Sequence, residues 1–114
     1  MKSLLFAFAV ILLDAMGCSS RHDEPDLLYV SPDALMLENQ KGASGVISVS
    51  SNRSWRVVSK NGQWLEIIPE SGDGDEMINI IARSSNESTS SRSCTLIIDG
   101  KEIQREVVVI QKGE

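Results

Sequence analysis

The stretch CTLIIDGKEIQREVVVIQ, residues 94–111, decides the fold of this chain. Two runs of apolar residues in alternation lie on either side of Asp99-Gly100, and an Asp-Gly pair between such runs is typical of a tight β-hairpin. Because successive side chains of a strand point to opposite faces, one set of residues in each run points inward. The stretch therefore predicts two antiparallel strands that share one buried face.

The same alternation continues through the chain from Leu27 onward. Short apolar segments are separated by breaks rich in Gly, Asn, Ser and Pro, and no segment has the spacing of an amphipathic helix. Segments of this kind at intervals of roughly ten residues predict an all-β sandwich of seven to eight short antiparallel strands. The predicted strands are Leu27–Val30, Leu35–Leu37, Val46–Ser50, Trp55–Ser59, Trp64–Ile68, Met77–Ala82, Cys94–Ile98 and Ile103–Gln111.

Alternation also assigns the core of this sandwich. A folded part of roughly 85 residues is long enough to bury a modest core without disulfide bonds. The residues assigned inward are Ile47, Val49, Leu65, Ile67, Ile78, Ile80, Ala82, Cys94, Leu96, Ile98, Val107 and Val109. Five apolar residues fall on the opposite phase, where they either form a patch for a partner protein or are half-exposed. These five are Val58, Ile68, Ile81, Val108 and Ile110.

Residues 1–17 have the pattern of a secretory signal. A basic start precedes the apolar run Leu4–Leu13, which is too short for the ~20 residues of a membrane-spanning helix. The stretch Ala15-Met16-Gly17-Cys18 resembles a bacterial lipobox, although Leu is usual where Ala15 stands. We therefore expect a lipoprotein signal peptide over residues 1–17 and a lipid on Cys18, which anchors the chain to a membrane. Simple secretion with a free Cys18 is the alternative.

Residues 18–26 are expected to be the lipidated cysteine and a flexible tether, because they are polar, charged and contain Pro25. Acidic residues soon after a lipidated cysteine resemble the surface-export signal of Bacteroidetes lipoproteins. That resemblance implies an outer-membrane lipoprotein on the cell surface. An ordinary solvated linker on a periplasm-facing protein is the alternative.

Charge and residue types exclude several classes of function. The net charge of −5 leaves no basic footprint for nucleic acid. The only histidine, His22, lies in the tether, so no nucleophile has a partner base and we expect no enzyme activity. Cys94 is expected to be buried, since an exposed thiol is a liability outside the cell. The acidic run Pro69–Glu76 is interpreted as a solvated turn rather than a calcium loop, so no metal or other cofactor is expected.

Four stretches together resemble the BACON domain, the Bacteroidetes-associated carbohydrate-binding module that is often N-terminal. They are VSPDALMLENQKGASGVISVSSNRSWRV from residue 30, GQWLEIIPESGDGDEMINIIA from residue 62, SSRSCTLII from residue 90 and REVVVIQKG from residue 105. The resemblance implies an immunoglobulin-like β-sandwich over residues 27–113. It also implies a non-catalytic module that binds a glycan or mucin. A structural spacer, or an adaptor that docks a partner protein, is the rival role.

The aromatic residues Trp55, Trp64 and Tyr29 are the candidate glycan contacts. An aromatic ring offers a flat apolar face to the C–H face of a sugar, with a polar group at its edge. Sandwiches of the immunoglobulin type often bury a tryptophan, and Trp55 opens a strand as such a core residue does. Trp64 falls on the phase opposite to Leu65 and Ile67, so it is either an exposed contact or a packed edge residue.

Overall fold

Residues 25–114 are described by the structure, a computed structural model, and they form an all-β fold. This range contains nine strands, each bounded by turns or short loops. The strands are β1 (Leu28–Ser31), β2 (Ala34–Leu37), β3 (Ser44–Ser51), β4 (Ser54–Lys60), β5 (Leu65–Ile68), β6 (Ser71–Asp73), β7 (Glu76–Ala82), β8 (Arg92–Asp99) and β9 (Gln104–Gln111).

The strands form two sheets that pack face to face. One sheet has five strands in the order β2-β9-β8-β4-β6, and the other has four in the order β1-β3-β7-β5. Neighbouring strands are antiparallel except β2 and β9, which pair in parallel. The predicted immunoglobulin-like sandwich is therefore confirmed as a fold class.

The predicted count of seven to eight strands is too low, because it omits the short strand β6. It lies inside the run Pro69–Glu76, which was interpreted as a turn, and it pairs with β4 so that Gly72 is opposite Trp55. A three-residue polar strand shows no apolar alternation. Its pairing partner is distant in sequence, and this explains why the sequence pattern missed it.

The hairpin of residues 94–111 is confirmed, with Asp99 opposite Gln104 at its end. Residues 100–103 connect the two strands, and the Gly100 N–H donates to the Ile103 carbonyl at 2.8 Å, so that Lys101 and Glu102 lie at the tip. Lys101 takes the left-handed backbone conformation, with φ at 75°. The Lys101 N–H donates to the Asp99 carboxylate at 2.9 Å, which fixes the turn.

The core lies between the two sheets, and every residue that alternation assigned inward is buried there. Leu28, Leu37 and Trp55 complete the buried set. Burial of an aliphatic side chain of this size contributes about 1.5–3 kcal/mol. The core is therefore what holds the two sheets together, and it leaves their outer faces for other roles.

The five apolar residues on the opposite phase do not form one patch. Val58, Val108 and Ile110 belong to the five-stranded sheet, whereas Ile68 and Ile81 belong to the four-stranded sheet. Only Val58 and Ile68 are exposed, and the other three are half-buried. The outer apolar surface is thus divided between two opposite faces of the molecule.

The predicted signal peptide, Cys18 and most of the predicted tether lie outside the described residues. The last two tether residues contact the turn between β3 and β4. Asn52 donates from Nδ2 to the Pro25 carbonyl at 3.0 Å, and Arg53 pairs with Asp26 at 2.7 Å. Within residues 25–114, no helix is long and apolar enough to span a membrane.

Candidate functional site

A trough runs along the central strand β3 on the outer face of the four-stranded sheet. Tyr29 of β1 lies opposite Ser50, and Met77 of β7 lies opposite Ser48. Residues directly opposite each other in an antiparallel pair point to the same face. Tyr29 thus flanks Ser50 from β1 and Met77 flanks Ser48 from β7, whereas the β1 residue opposite Ser48 is the small Ser31. The small side chains between Tyr29 and Met77 form the floor of the trough.

The trough encloses about 440 Å³ and is open to solvent. One end of it is acidic, because Asp75 immediately precedes β7 there. The lining residues are Ser48, Val49, Ser50, Asp75, Glu76 and Met77. Val49 is buried and Glu76 lies opposite it on the inward phase. The exposed surface thus combines serine hydroxyls, the Asp75 carboxylate and the apolar side chain of Met77.

The polar groups of the trough are available to a ligand. Neither the Ser48 nor the Ser50 hydroxyl bonds to another residue in the described range 25–114, and the same holds for the Glu76 carboxylate. The Asp75 carboxylate accepts the Ser51 N–H at 2.9 Å through one oxygen. That bond fixes its position and leaves its second oxygen as an acceptor.

Tyr29 is the exposed aromatic residue beside this trough, and 60% of its surface is accessible. It is one of the three predicted glycan contacts. Its phenol presents an apolar face together with a hydroxyl that can donate or accept a hydrogen bond. Since Tyr29 and Ser50 are cross-strand neighbours, the ring lies where a ligand in the trough reaches it.

Trp55 is a core residue, as its strand position indicated, and its proposed role as a glycan contact is therefore corrected. Only 3% of its surface is accessible. Its indole N–H donates to the Gly74 carbonyl at 2.8 Å, and Gly72 packs against its ring. A buried ring whose one polar group is already bonded offers no face for stacking a sugar.

Trp64 is half-buried and packs against the core. The Arg92 guanidinium lies over the indole, 4.6 Å from the ring centroid. Trp64 precedes β5 in one sheet and Arg92 begins β8 in the other, so the contact bridges the sheets. A cation over an indole ring is an attractive arrangement, and the ring face that Arg92 covers is closed to a ligand.

The residues that sequence analysis missed are Ser48, Ser50, Asp75, Glu76 and Met77. A weak signal was present, because alternation in GVISVS places two serines on the outer face of β3. Nothing local indicates that Tyr29 and Met77 flank them. That arrangement depends on the pairing of β1 and β7 with β3.

A second cavity, of about 260 Å³, lies at the end of the sandwich near the β8–β9 hairpin. It is lined by Ser54, Trp55, Arg56, Asp99 and Lys101. Its carboxylate is already in use, since Arg56 lies 3.9 Å from Asp99 and the Lys101 backbone N–H donates to the same carboxylate. Because Trp55 exposes little surface here, this cavity is a weaker candidate than the trough.

Cys94 and possible metal ligands are the remaining features that could take part in chemistry. Cys94 is buried, and burial raises the pKa of its thiol, with a smaller opposing effect from a backbone hydrogen bond to Lys60. The raised pKa keeps the thiol protonated and unreactive. In the part of the chain that the structure describes, no three His, Cys, Asp or Glu side chains gather as metal ligands.

The fold and the trough define a class of protein: a small two-sheet β-sandwich module with a polar, aromatic-flanked groove on one outer sheet face. The family model of the viral BACON domain matches residues 27–114. The chain belongs to the BACON domain family. The resemblance drawn from its sequence motifs is therefore confirmed at the level of the domain.

Solved structures show the same fold. A Bacteroides ovatus GH5 xyloglucanase in complex with a XXXG heptasaccharide superposes with a TM-score of 0.69 at 18% identity, over 77% of this chain and 19% of that one. The CsuC–CsuE chaperone–tip adhesion subunit complex of Acinetobacter baumannii gives 0.61 at 9% identity, over 77% of this chain and 57% of that one. This chain thus spans about a fifth of the xyloglucanase chain and somewhat over half of the CsuC–CsuE chain. None of the curated proteins matches this sequence.

Proposed function

We propose that this protein is a non-catalytic carbohydrate-binding module and that the trough on the four-stranded sheet is its binding site. The observation that carries the proposal is the exposed Tyr29 ring beside two unpaired serine hydroxyls, Ser48 and Ser50. Membership in a family of carbohydrate-binding type supports it.

The chemistry of a saccharide suits this surface. A pyranose ring has an apolar C–H face, which stacks on an aromatic ring, and a periphery of hydroxyl groups. Serine hydroxyls both donate and accept hydrogen bonds, and a carboxylate accepts them strongly. A sugar seated over Ser48 and Ser50 would meet Tyr29 on one side and Asp75 on the other.

The test is glycan binding by the full chain in detergent, measured on immobilised mucin and by calorimetry with soluble oligosaccharides. Tyr29→Ala is expected to weaken binding by about fivefold or more, because stacking of a nucleobase on an aromatic side chain, a comparable ring contact, contributes about 1–3 kcal/mol. Tyr29→Phe keeps the ring and should retain most of the affinity.

The control variant is Met36→Ala, which removes an exposed apolar side chain from the outer face of the other sheet. It should bind as wild type does. Unchanged binding by a folded Tyr29→Ala variant would contradict the site.

If wild type binds no glycan or mucin, the alternative function is favoured, namely a structural spacer or an adaptor that docks a partner protein. The docking surface of such an adaptor would be the outer face of the five-stranded sheet, where Ile110 lies beside Met36.

We further propose that the module is an outer-membrane lipoprotein of the cell surface, anchored through a lipid on Cys18. The support is the sequence alone, namely the lipobox-like stretch that ends at Cys18 and the acidic residues that follow it. A single acyl chain binds a membrane only marginally, whereas two or more anchor a protein stably.

A further inference from the structure

We infer that the trough takes uncharged saccharides and rejects acidic ones, that is, glycans that carry carboxylate or sulfate groups at the contact. This inference rests on the proposed function and names the class of glycan that the same site selects. It follows from the charge at the trough and from the contact that holds the Asp75 carboxylate there.

The charged side chain of the trough is negative. Asp75 and Glu76 are the only ionisable residues among those that line it, and no Lys or Arg is among them. Glu76 pairs with the buried Val49 and so shares the inward phase of its strand, which leaves the Asp75 carboxylate as the charged group on the trough's face. The Asp75 carboxylate is held in place by the Ser51 N–H, so it does not move away from a bound ligand without losing that bond. Arginine is the residue that suits carboxylate and sulfate recognition, and the trough lacks it.

The size of the effect follows from Coulomb interaction. Two like charges about 4 Å apart in water weaken binding by roughly fivefold, and by more where the site excludes solvent. Salt at 0.15 M, where the Debye length is about 8 Å, weakens this interaction only in part, whereas 0.5 M salt, where it is about 4 Å, weakens it further. The Asp75 carboxylate, in a chain of net charge −5, should therefore disfavour an acidic sugar by about fivefold or more.

The same carboxylate favours neutral sugars. A hydroxyl that donates to a carboxylate forms a charge-assisted hydrogen bond, which is stronger than one between neutral groups. The free oxygen of Asp75 can accept such a bond. The selectivity thus has an attractive and a repulsive part, and both come from Asp75.

The experiment compares each neutral glycan on an array with its own sialylated and sulfated forms, with the full chain at 50 mM and 500 mM NaCl. We expect the neutral form to bind at least about fivefold more tightly at low salt, and this gap in affinity to narrow at high salt. Equal or tighter binding of the acidic forms by wild type would overturn the inference and leave the proposed function intact.

Variants that remove carboxylate charges test whether charge causes this selectivity. In the Asp75→Asn/Glu76→Gln double variant the asparagine keeps an oxygen to accept the Ser51 N–H, so we expect an unchanged fold and a gap below about threefold. Glu106→Gln removes one charge from the outer face of the other sheet and should leave the gap as in wild type. An unchanged gap in the double variant would overturn the inference. Absence of binding to every glycan, neutral or acidic, would overturn the proposed function itself and the inference with it.

Discussion

At the scale of single residues, Gln111 is the polar side chain that the fold depends on most. It lies at the end of β9 with no accessible surface. Its amide nitrogen donates to the carbonyls of Glu38, Gln40 and Ser84, and its amide oxygen accepts the Arg92 Nε–H at 2.8 Å. One carboxamide thus connects the β2–β3 loop, the β7–β8 loop and the start of β8. A buried polar group is tolerated because it is fully bonded.

Removal of this carboxamide should destabilise the domain strongly. Gln111→Ala is expected to lower the free energy of unfolding by about 2–4 kcal/mol, because the fully buried carboxamide is lost and three part-buried carbonyls and the Arg92 donor lose their partner. Urea denaturation measures the change. Gln104→Ala, an exposed position on the same strand, should change stability by less than about 0.5 kcal/mol. Equal stability of the two variants would show that the Gln111 bonds contribute nothing net.

At the scale of elements, the short strand β6 depends on a residue without a side chain. Gly72 lies opposite Trp55 of β4, and a Cβ there would overlap the Cζ2 atom of the Trp55 ring. The indole therefore packs directly on the backbone of the edge strand and donates to the carbonyl of Gly74 at 2.8 Å. Close approach of a ring to the backbone is the physical reason for glycine at this position.

Addition of one methyl group at this contact is the test. Gly72→Ala is expected to cost about 1–3 kcal/mol of folding free energy, as overpacking does in other cores. Thermal unfolding followed by circular dichroism measures it. Ser71→Ala, an exposed neighbour on the same strand, is the matched control and should melt with wild type. A Gly72→Ala variant that also melts with wild type would contradict the tight contact of Trp55 with β6.

At the scale of the whole molecule, the trough lies at the end of the sandwich where the chain enters it. Asp75 at the trough bonds to Ser51, and the next residue, Asn52, bonds to Pro25 and Leu27. Because Pro25 and Asp26 contact the domain, the seven residues 18–24 limit the reach of the tether to about 25 Å. If Cys18 carries the anchor, the tether therefore sets how far the trough stands from the membrane.

The anchor itself gives the prediction at this scale. In the native host, wild type is expected to incorporate labelled palmitate and to fractionate with the outer membrane. Cys18→Ser should abolish the label and release the protein from the membrane fraction, because the acyl chains supply the membrane affinity. Ser19→Ala, the adjacent position, should keep both properties. Membrane association of a Cys18→Ser variant would rule out the lipid as the anchor.

The sequence by itself determined the class of fold and the core. Alternation of side chains along a strand is a local property that does not depend on which strands pair. It therefore placed Ile47, Ile80 and Leu96 inward correctly. The Asp99-Gly100 pair located the hairpin for the same reason, since a turn involves only neighbouring residues. The family motifs, read in order along the chain, located the domain that the family model matches.

Only the tertiary structure decided where the trough lies and which aromatic residue flanks it. Tyr29, Ser48 and Met77 come together because β1 and β7 both pair with β3 in one register, and pairing between distant segments leaves no local pattern in sequence. The position of Trp64 against Arg92 and the burial of Gln111 likewise depend on contacts between the two sheets and their loops. Local alternation determines faces, whereas long-range pairing determines neighbours, and a binding site is made of neighbours.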